Sequence, residues 1–133
     1  MWERAANAVA VLLLDTSFLV ELETEIAGRR AGPARRLLAA RPLEPVAVSL
    51  VALAEFAEGF EDLADVEAFC SRFKVVPLSR AIAYRCADMQ RRLPQRLGEN
   101  DAWIAATALV YGAELVGRER AFARVPRLHY VKF

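Results

Sequence analysis

Four carboxylates in this chain stand where apolar packing alone would not put them. Asp15 closes the run Val9-Ala10-Val11-Leu12-Leu13-Leu14 and is followed by Thr16 and Ser17. Glu55 lies inside Val51-Ala52-Leu53-Ala54-Glu55-Phe56, and Asp101 follows Asn100 at the head of an apolar helix-like segment. Glu119 comes directly after Leu115-Val116-Gly117-Arg118. An unpaired carboxylate is costly to bury, so acids on such segments need a partner. A divalent cation serves several at once. No His or Cys accompanies these acids, and an all-oxygen donor set selects hard ions such as Mg2+ or Mn2+. The chemistry this suits is metal-assisted phosphodiester hydrolysis, in which an ion-bound water attacks while the ion stabilises charge on the phosphate. Thr16 and Ser17 are placed to donate hydrogen bonds to Asp15 or to a phosphate.

The elements that must carry these acids follow from periodicity and caps. Val9 to Leu14 is a continuous apolar run, as expected of a strand buried on both faces. Ser17 is expected to cap a helix through about Glu25, with Phe18, Leu19, Leu22 and Ile26 on one side. Pro33 suits the first turn of a helix that Pro42 stops. Val46-Ala47-Val48 reads as a second strand, and Ser49 caps a helix from Leu50 to about Gly59. A helix over 62–73, a third strand at Val75-Val76 and a helix from Arg80 capped by Ser79 come next. The strongest helix runs from Asp101 to Tyr111 and ends at Gly112. Leu115-Val116 makes a fourth strand and Tyr130-Val131 a fifth at the edge. Short apolar strands alternating with helices predict an α/β fold, a three-layer α/β/α sandwich with a central, mainly parallel sheet. Ligands bind such sheets beyond the carboxyl ends of the strands. Asp15 and Glu119 lie just past strand ends, Asp101 opens a helix and Glu55 lies within one, so all four can meet at that edge.

Size and composition set the bounds. A chain of 133 residues with 56% hydrophobic and 26% charged residues fits a single compact domain, expected over 9–133, with 1–8 as a short N-terminal extension. A net charge of +1 gives no global basic footprint, so contact with nucleic acid must come from a local patch. Arg118, Arg120, Arg124 and Arg127 are candidates for a basic rim around the acids. Cys70 and Cys86 form no metal-binding pair and read as buried free thiols, which favours a reducing, cytoplasmic setting. The apolar run from Ala8 to Leu14 is too short for a membrane span. His129 is a lone histidine and receives no catalytic role.

These motifs, taken in order, resemble a known family. Leu13-Leu14-Asp15-Thr16-Ser17, then Ser49 with Ala54-Glu55, then Asn100-Asp101-Ala102-Trp103-Ile104-Ala105-Ala106, then Leu115-Val116-Gly117-Arg118-Glu119 are similar to the motifs of PIN-domain ribonucleases. The match is best to VapC-type toxins of toxin–antitoxin pairs and runs from about residue 9 to the carboxyl terminus. The resemblance implies a PIN-like fold and a Mg2+- or Mn2+-dependent endoribonuclease acting on single-stranded or looped RNA. It implies Asp15, Glu55 and Asp101 as core metal-site acids with Glu119 in the fourth position. Ser17, Arg118 and Arg120 would then contact RNA. A homodimer is implied, as is a cognate VapB-like antitoxin, with Phe18, Leu22, Phe56 and Phe60 as the groove for its helix. The sequence departs from the family at Glu119, where Asp or Asn is usual, and at Gly117 and Ala52, where Thr is common. Those departures carry the alternative, a catalytically weakened PIN-like module that binds RNA or protein. A haloacid-dehalogenase-like phosphatase would require a second Asp two residues after Asp15, where Ser17 stands.

Overall fold

The computed structural model describes residues 11–133. The expected extension over 1–8 lies outside the described residues, as do Val9 and Ala10 of the expected first strand. Five strands form one sheet in the order β3-β2-β1-β4-β5, with β1 over Leu12–Leu14, β2 over Val46–Ser49, β3 over Lys74–Val76, β4 over Glu114–Gly117 and β5 over His129–Lys132. Every pairing is parallel, and Leu13 of β1 sits between Ala47 of β2 and Leu115 of β4. Successive strand residues point to opposite faces. Leu12, Leu13 and Leu14 are nonetheless all buried, so helices must cover both sides of the sheet. The sandwich expected from the alternation is the one observed, and its sheet is wholly parallel.

Six helices do the covering: α1 (Thr16–Ala27), α2 (Pro33–Ala40), α3 (Leu50–Ala57), α4 (Leu63–Cys70), α5 (Arg80–Arg92) and α6 (Glu99–Tyr111), with a 3-10 turn over Arg120–Arg124. Ser49 and Ser79 cap α3 and α5 as their positions predict, each accepting a backbone N–H of the first turn. Gly112, at φ 61°, closes α6 in the left-handed conformation that glycine adopts without strain. The helix expected over 62–73 is shorter, because Asp62 serves as its cap.

Three readings need correction. Asp15, not Ser17, caps α1. A single residue separates β1 from α1, and Asp15 Oδ1 accepts the Phe18 N–H at 2.9 Å. Ile26 is left half out of the core, and its expected place is taken by Glu25, which is fully buried. Phe18, Leu22, Phe56 and Phe60 form no groove either. The first three are buried within the chain's own core, Phe18 edge-on to Phe133 and Phe56 stacked between Phe60 and Phe69. Exposed apolar side chains beside a cleft are found instead at Leu50 and Leu63, which line one of about 580 Å³ between α3 and α4. Cys70 and Cys86 are buried free thiols, and burial pushes both thiol pKa values up. Among the described residues no helix is long and apolar enough to cross a membrane.

Candidate active site

The strand order reverses direction between β1 and β4, since β2 and β3 lie on one side of β1 and β4 and β5 on the other. In open parallel sheets that reversal leaves a crevice beyond the carboxyl ends. A cavity of about 380 Å³ lies there, lined by Asp15, Glu55, Asp101 and Glu119 with Thr16, Ser17, Ile104 and Arg118. The sheet thus brings together all four acids singled out in the sequence. Asp15 enters from the end of β1, Glu119 from beyond β4, Glu55 from the second turn of α3 and Asp101 from the first turn of α6.

Each acid is held differently. Asp15 is 3% exposed and uses one oxygen twice: Oδ1 accepts Ser17 Oγ–H at 2.6 Å as well as the Phe18 N–H. Oδ2 lies on the Gly117 side, and the carboxylate lines the cavity. Its backbone is fixed by Asp15 N–H donating to the Val116 carbonyl at 3.0 Å. Glu55 is gripped from two elements, by the Thr16 hydroxyl at 2.5 Å on Oε1 and by the Asn100 amide at 2.9 Å on Oε2. Asp101 accepts no hydrogen bond among the described residues. Glu119 is exposed and accepts the Ala121 N–H at a long 3.4 Å, as the cap of the 3-10 turn. Thr16 and Asn100 were visible as motif neighbours, but their grip on Glu55 depends on contacts 39 and 45 residues apart that spacing does not reveal.

Gly117 is part of the same seat. A Cβ at this position would collide with both carboxylate oxygens of Asp15. The absence of a side chain, a departure from the family pattern, is what gives the acid its room. Of the two acceptors expected for Ser17, the structure shows Asp15. Its one hydrogen is given to Asp15, and its oxygen accepts Arg118 N–H at 3.0 Å, so it ties the chain after β4 to the start of α1.

Electrostatics sets the demand on the site. Burial raises the Asp15 carboxyl above its ordinary value, against the pull of its hydrogen bonds to Ser17 and Phe18. Asp101 is pushed up to about 6, first by burial and then by repulsion from Glu119, Glu55 and Asp15. Like charges gathered in a partly dry cavity shift protonation in this direction unless a cation neutralises them. The Tyr130 hydroxyl is buried without a partner among the described residues, and burial, then the charges of Asp15, Glu119 and Asp101, hold it protonated well beyond its ordinary range.

No three of the Asp, Glu, His and Cys side chains among the described residues stand close enough to clasp one ion directly. The donor set still fits a hard divalent cation. It is all oxygen and anionic, and Mg2+ keeps several waters and needs only one or two carboxylates in direct contact.

The expected basic rim divides. Arg118 lines the cavity, with its guanidinium 4.2 Å over the Phe133 ring and 3.8 Å from Glu21. Arg120 is exposed on the 3-10 turn outside the cavity lining. Arg124 and Arg127 belong to a different groove. His129 opens β5 at the opposite end of the sheet from the acids.

This fold and this acidic crevice define a class, and sequence comparison agrees: the chain matches the PIN domain over residues 12–128 and belongs to that family. It is 36% identical over 104 residues to Ribonuclease VapC10 of Mycobacterium tuberculosis, covering 73% of this chain and 78% of the relative. Among solved structures it resembles the VapBC2 complex of Rickettsia felis bound to a promoter DNA fragment, with TM-score 0.76, 22% identity and coverage of 92% and 98% of the two chains. It also resembles DNA-bound VapBC from Salmonella typhimurium, with TM-score 0.71, 25% identity and coverage of 93% and 98%.

Proposed function

We propose that this chain is a metal-dependent endoribonuclease, the toxin of a toxin–antitoxin pair, cleaving single-stranded or looped RNA. The observation that carries the reading is the convergence of Asp15, Glu55, Asp101 and Glu119 on one cavity at the switch point of the sheet. Kinship to a protein named as a ribonuclease supports the chemistry. Asp15 Oδ2, Glu55 and Asp101 would hold Mg2+ or Mn2+, with Glu119 at the open side, directly or through water. When bound, the ion supplies Lewis acidity and a water of lowered pKa.

The remaining work belongs to the chain. Ser17 and the Phe18 N–H aim Asp15, while Thr16 and Asn100 aim Glu55. Arg118 stands at the rim, where its guanidinium can fork onto a phosphate. The Ile104 side chain walls the cavity on the α6 side and limits water there.

An antitoxin partner, a homodimer and a cytoplasmic setting belong to the same proposal, supported by likeness to VapBC assemblies. Since Phe18, Leu22 and Phe56 are buried, the antitoxin's apolar face would meet the α3–α4 cleft at Leu50 and Leu63 instead.

The test is cleavage of a looped RNA by the purified chain with Mg2+, with chelator, and with Asp101→Asn. Cleavage that persists in chelator, or in the variant at the parent's rate, refutes the proposal. A second reading, an RNA-holding domain that does not cut, is favoured by the spacing of the acids, none of which forms a ready three-fold clasp. RNA binding without cleavage in the same assay would establish it.

A further inference from the structure

A nuclease site made of four acids repels the polyanion it must hold. Its bound ion offsets this only locally. The chain carries a net charge of +1, so affinity for RNA requires positive charge concentrated somewhere. One rim arginine at the cavity is little for that purpose. A groove of about 760 Å³ supplies more: Arg85 and Arg92 of α5 face Arg124 and Arg127 from the segment before β5.

The only acid lining this groove is Asp88, and its carboxylate is already shared by Arg92 at 2.9 and 3.0 Å and Arg91 at 3.2 Å. Arg124 is steered by a 2.7 Å hydrogen bond to Gln95 Oε1. Arg85 and Arg127 make no hydrogen bond or ion pair among the described residues, which leaves their five-donor forks open. Arg127 also sits at φ 67°, a left-handed backbone that a non-glycine residue rarely takes, just after Pro126. That turn holds its side chain at the groove. The floor between the arginines is apolar, with Met89, Leu109 and Pro126.

The groove is separate from the acid site. It shares Arg85, Leu109 and Arg127 with a hollow beside Gly112, Ala113 and His129, which lie at the amino ends of β4 and β5. The acids lie at the carboxyl ends.

We propose that this arginine groove is a second RNA contact, holding backbone phosphates of a single strand on its four guanidinium groups while the apolar floor takes bases or ribose. Charged rims over apolar floors are how sequence-tolerant proteins hold single strands. The proposal rests on the ribonuclease reading and adds to it a handle remote from the cut.

The test measures binding apart from cleavage. Arg124→Gln/Arg127→Gln and Arg124→Lys/Arg127→Lys are compared with the parent for binding of fluorescein-labelled oligouridine in chelator, across a salt series. The Gln pair should bind about tenfold more weakly and lower the slope of log affinity against log salt by about two, while the Lys pair keeps most of both. With Mg2+, the Gln pair should raise KM for a long RNA and leave kcat, and should not affect a dinucleotide that reaches only the acid cavity. A folded Gln pair with unchanged affinity and slope overturns the groove while leaving the nuclease intact. A parent that neither binds nor cuts RNA overturns both.

Discussion

The carboxylate of Asp15 fills the space that a side chain on residue 117 would need. β1 and β4 are adjacent and parallel, so Gly117 at the end of β4 faces the acid that follows β1. Gly117→Ala should therefore displace Asp15. Expected losses are about 1–3 kcal/mol of stability from overpacking and roughly a hundredfold in cleavage rate from a misplaced acid. Thermal melts and single-turnover kinetics read the two separately. An alanine variant that cuts at the parent's rate would show that Asp15 tolerates another position.

Asp101 makes the site pH-dependent in a definite direction. The unfolded chain releases this proton near 3.8, while burial and the neighbouring acids keep it in the fold to about 6. Between those values the unfolded state has lost a proton that the folded state retains, so without divalent ions this group's contribution to stability declines as pH rises. It levels off above the folded value. A cation reverses the penalty, so Mg2+ should raise the melting temperature more at about pH 7.5 than at about pH 5. Asp101→Asn should flatten this group's contribution to the pH trend, sharply reduce the Mg2+ response and slow cleavage by roughly two orders of magnitude.

Asn100 lies outside the cavity lining and acts through Glu55. Asn100→Ala should weaken Mg2+ affinity by about 10–100-fold, as loss of a group orienting a ligand does. Saturating Mg2+ should restore most of the rate. A kcat deficit that no Mg2+ concentration repairs would assign Asn100 another task.

Glu25 is the matching prediction for the fold alone. It is fully buried, and burial by itself would raise its carboxyl. Hydrogen bonds from the Arg35, Ala34 and Gly32 backbone N–H groups outweigh that and hold it below the ordinary carboxylate range. The three backbone donors, each at 2.9 Å, open α2. Its contribution is full above the unfolded pKa, near 4.5, and is lost as pH falls through the lower folded value. Glu25→Gln should cost about 2–4 kcal/mol, because an amide nitrogen would confront backbone donors. Cleavage by the folded fraction should be unaffected.

Asp15 and Glu55 were readable because each interrupts an apolar run, and Asp101 and Glu119 because each stands at the edge of one. Helix starts were readable at Ser49 and Ser79 for the same local reason. Asp15 shows where locality fails: Ser17 stands at an equally suitable capping position, yet Asp15 both caps α1 and faces the cavity. Phe18, Leu22 and Phe56 repeat at helical spacing whether they face a partner or the interior, and only the neighbours that cover them decide which. Glu25 gave no sign, since its donors come from a turn and the next helix. Arg118 and Arg127 are close in sequence, but the crossover from β4 to β5 carries the chain from one end of the sheet to the other between them.

Placing β1 at the centre of the sheet has a consequence for synthesis. Asp15 is made about a hundred residues before its backbone partner Val116 and its spacer Gly117. Until β4 emerges from the ribosome, one flank of β1 is open and the fourth acid does not exist. A nascent chain of this protein therefore lacks a complete acid crevice, and faces the RNA around it without one, until β4 and Glu119 have been translated.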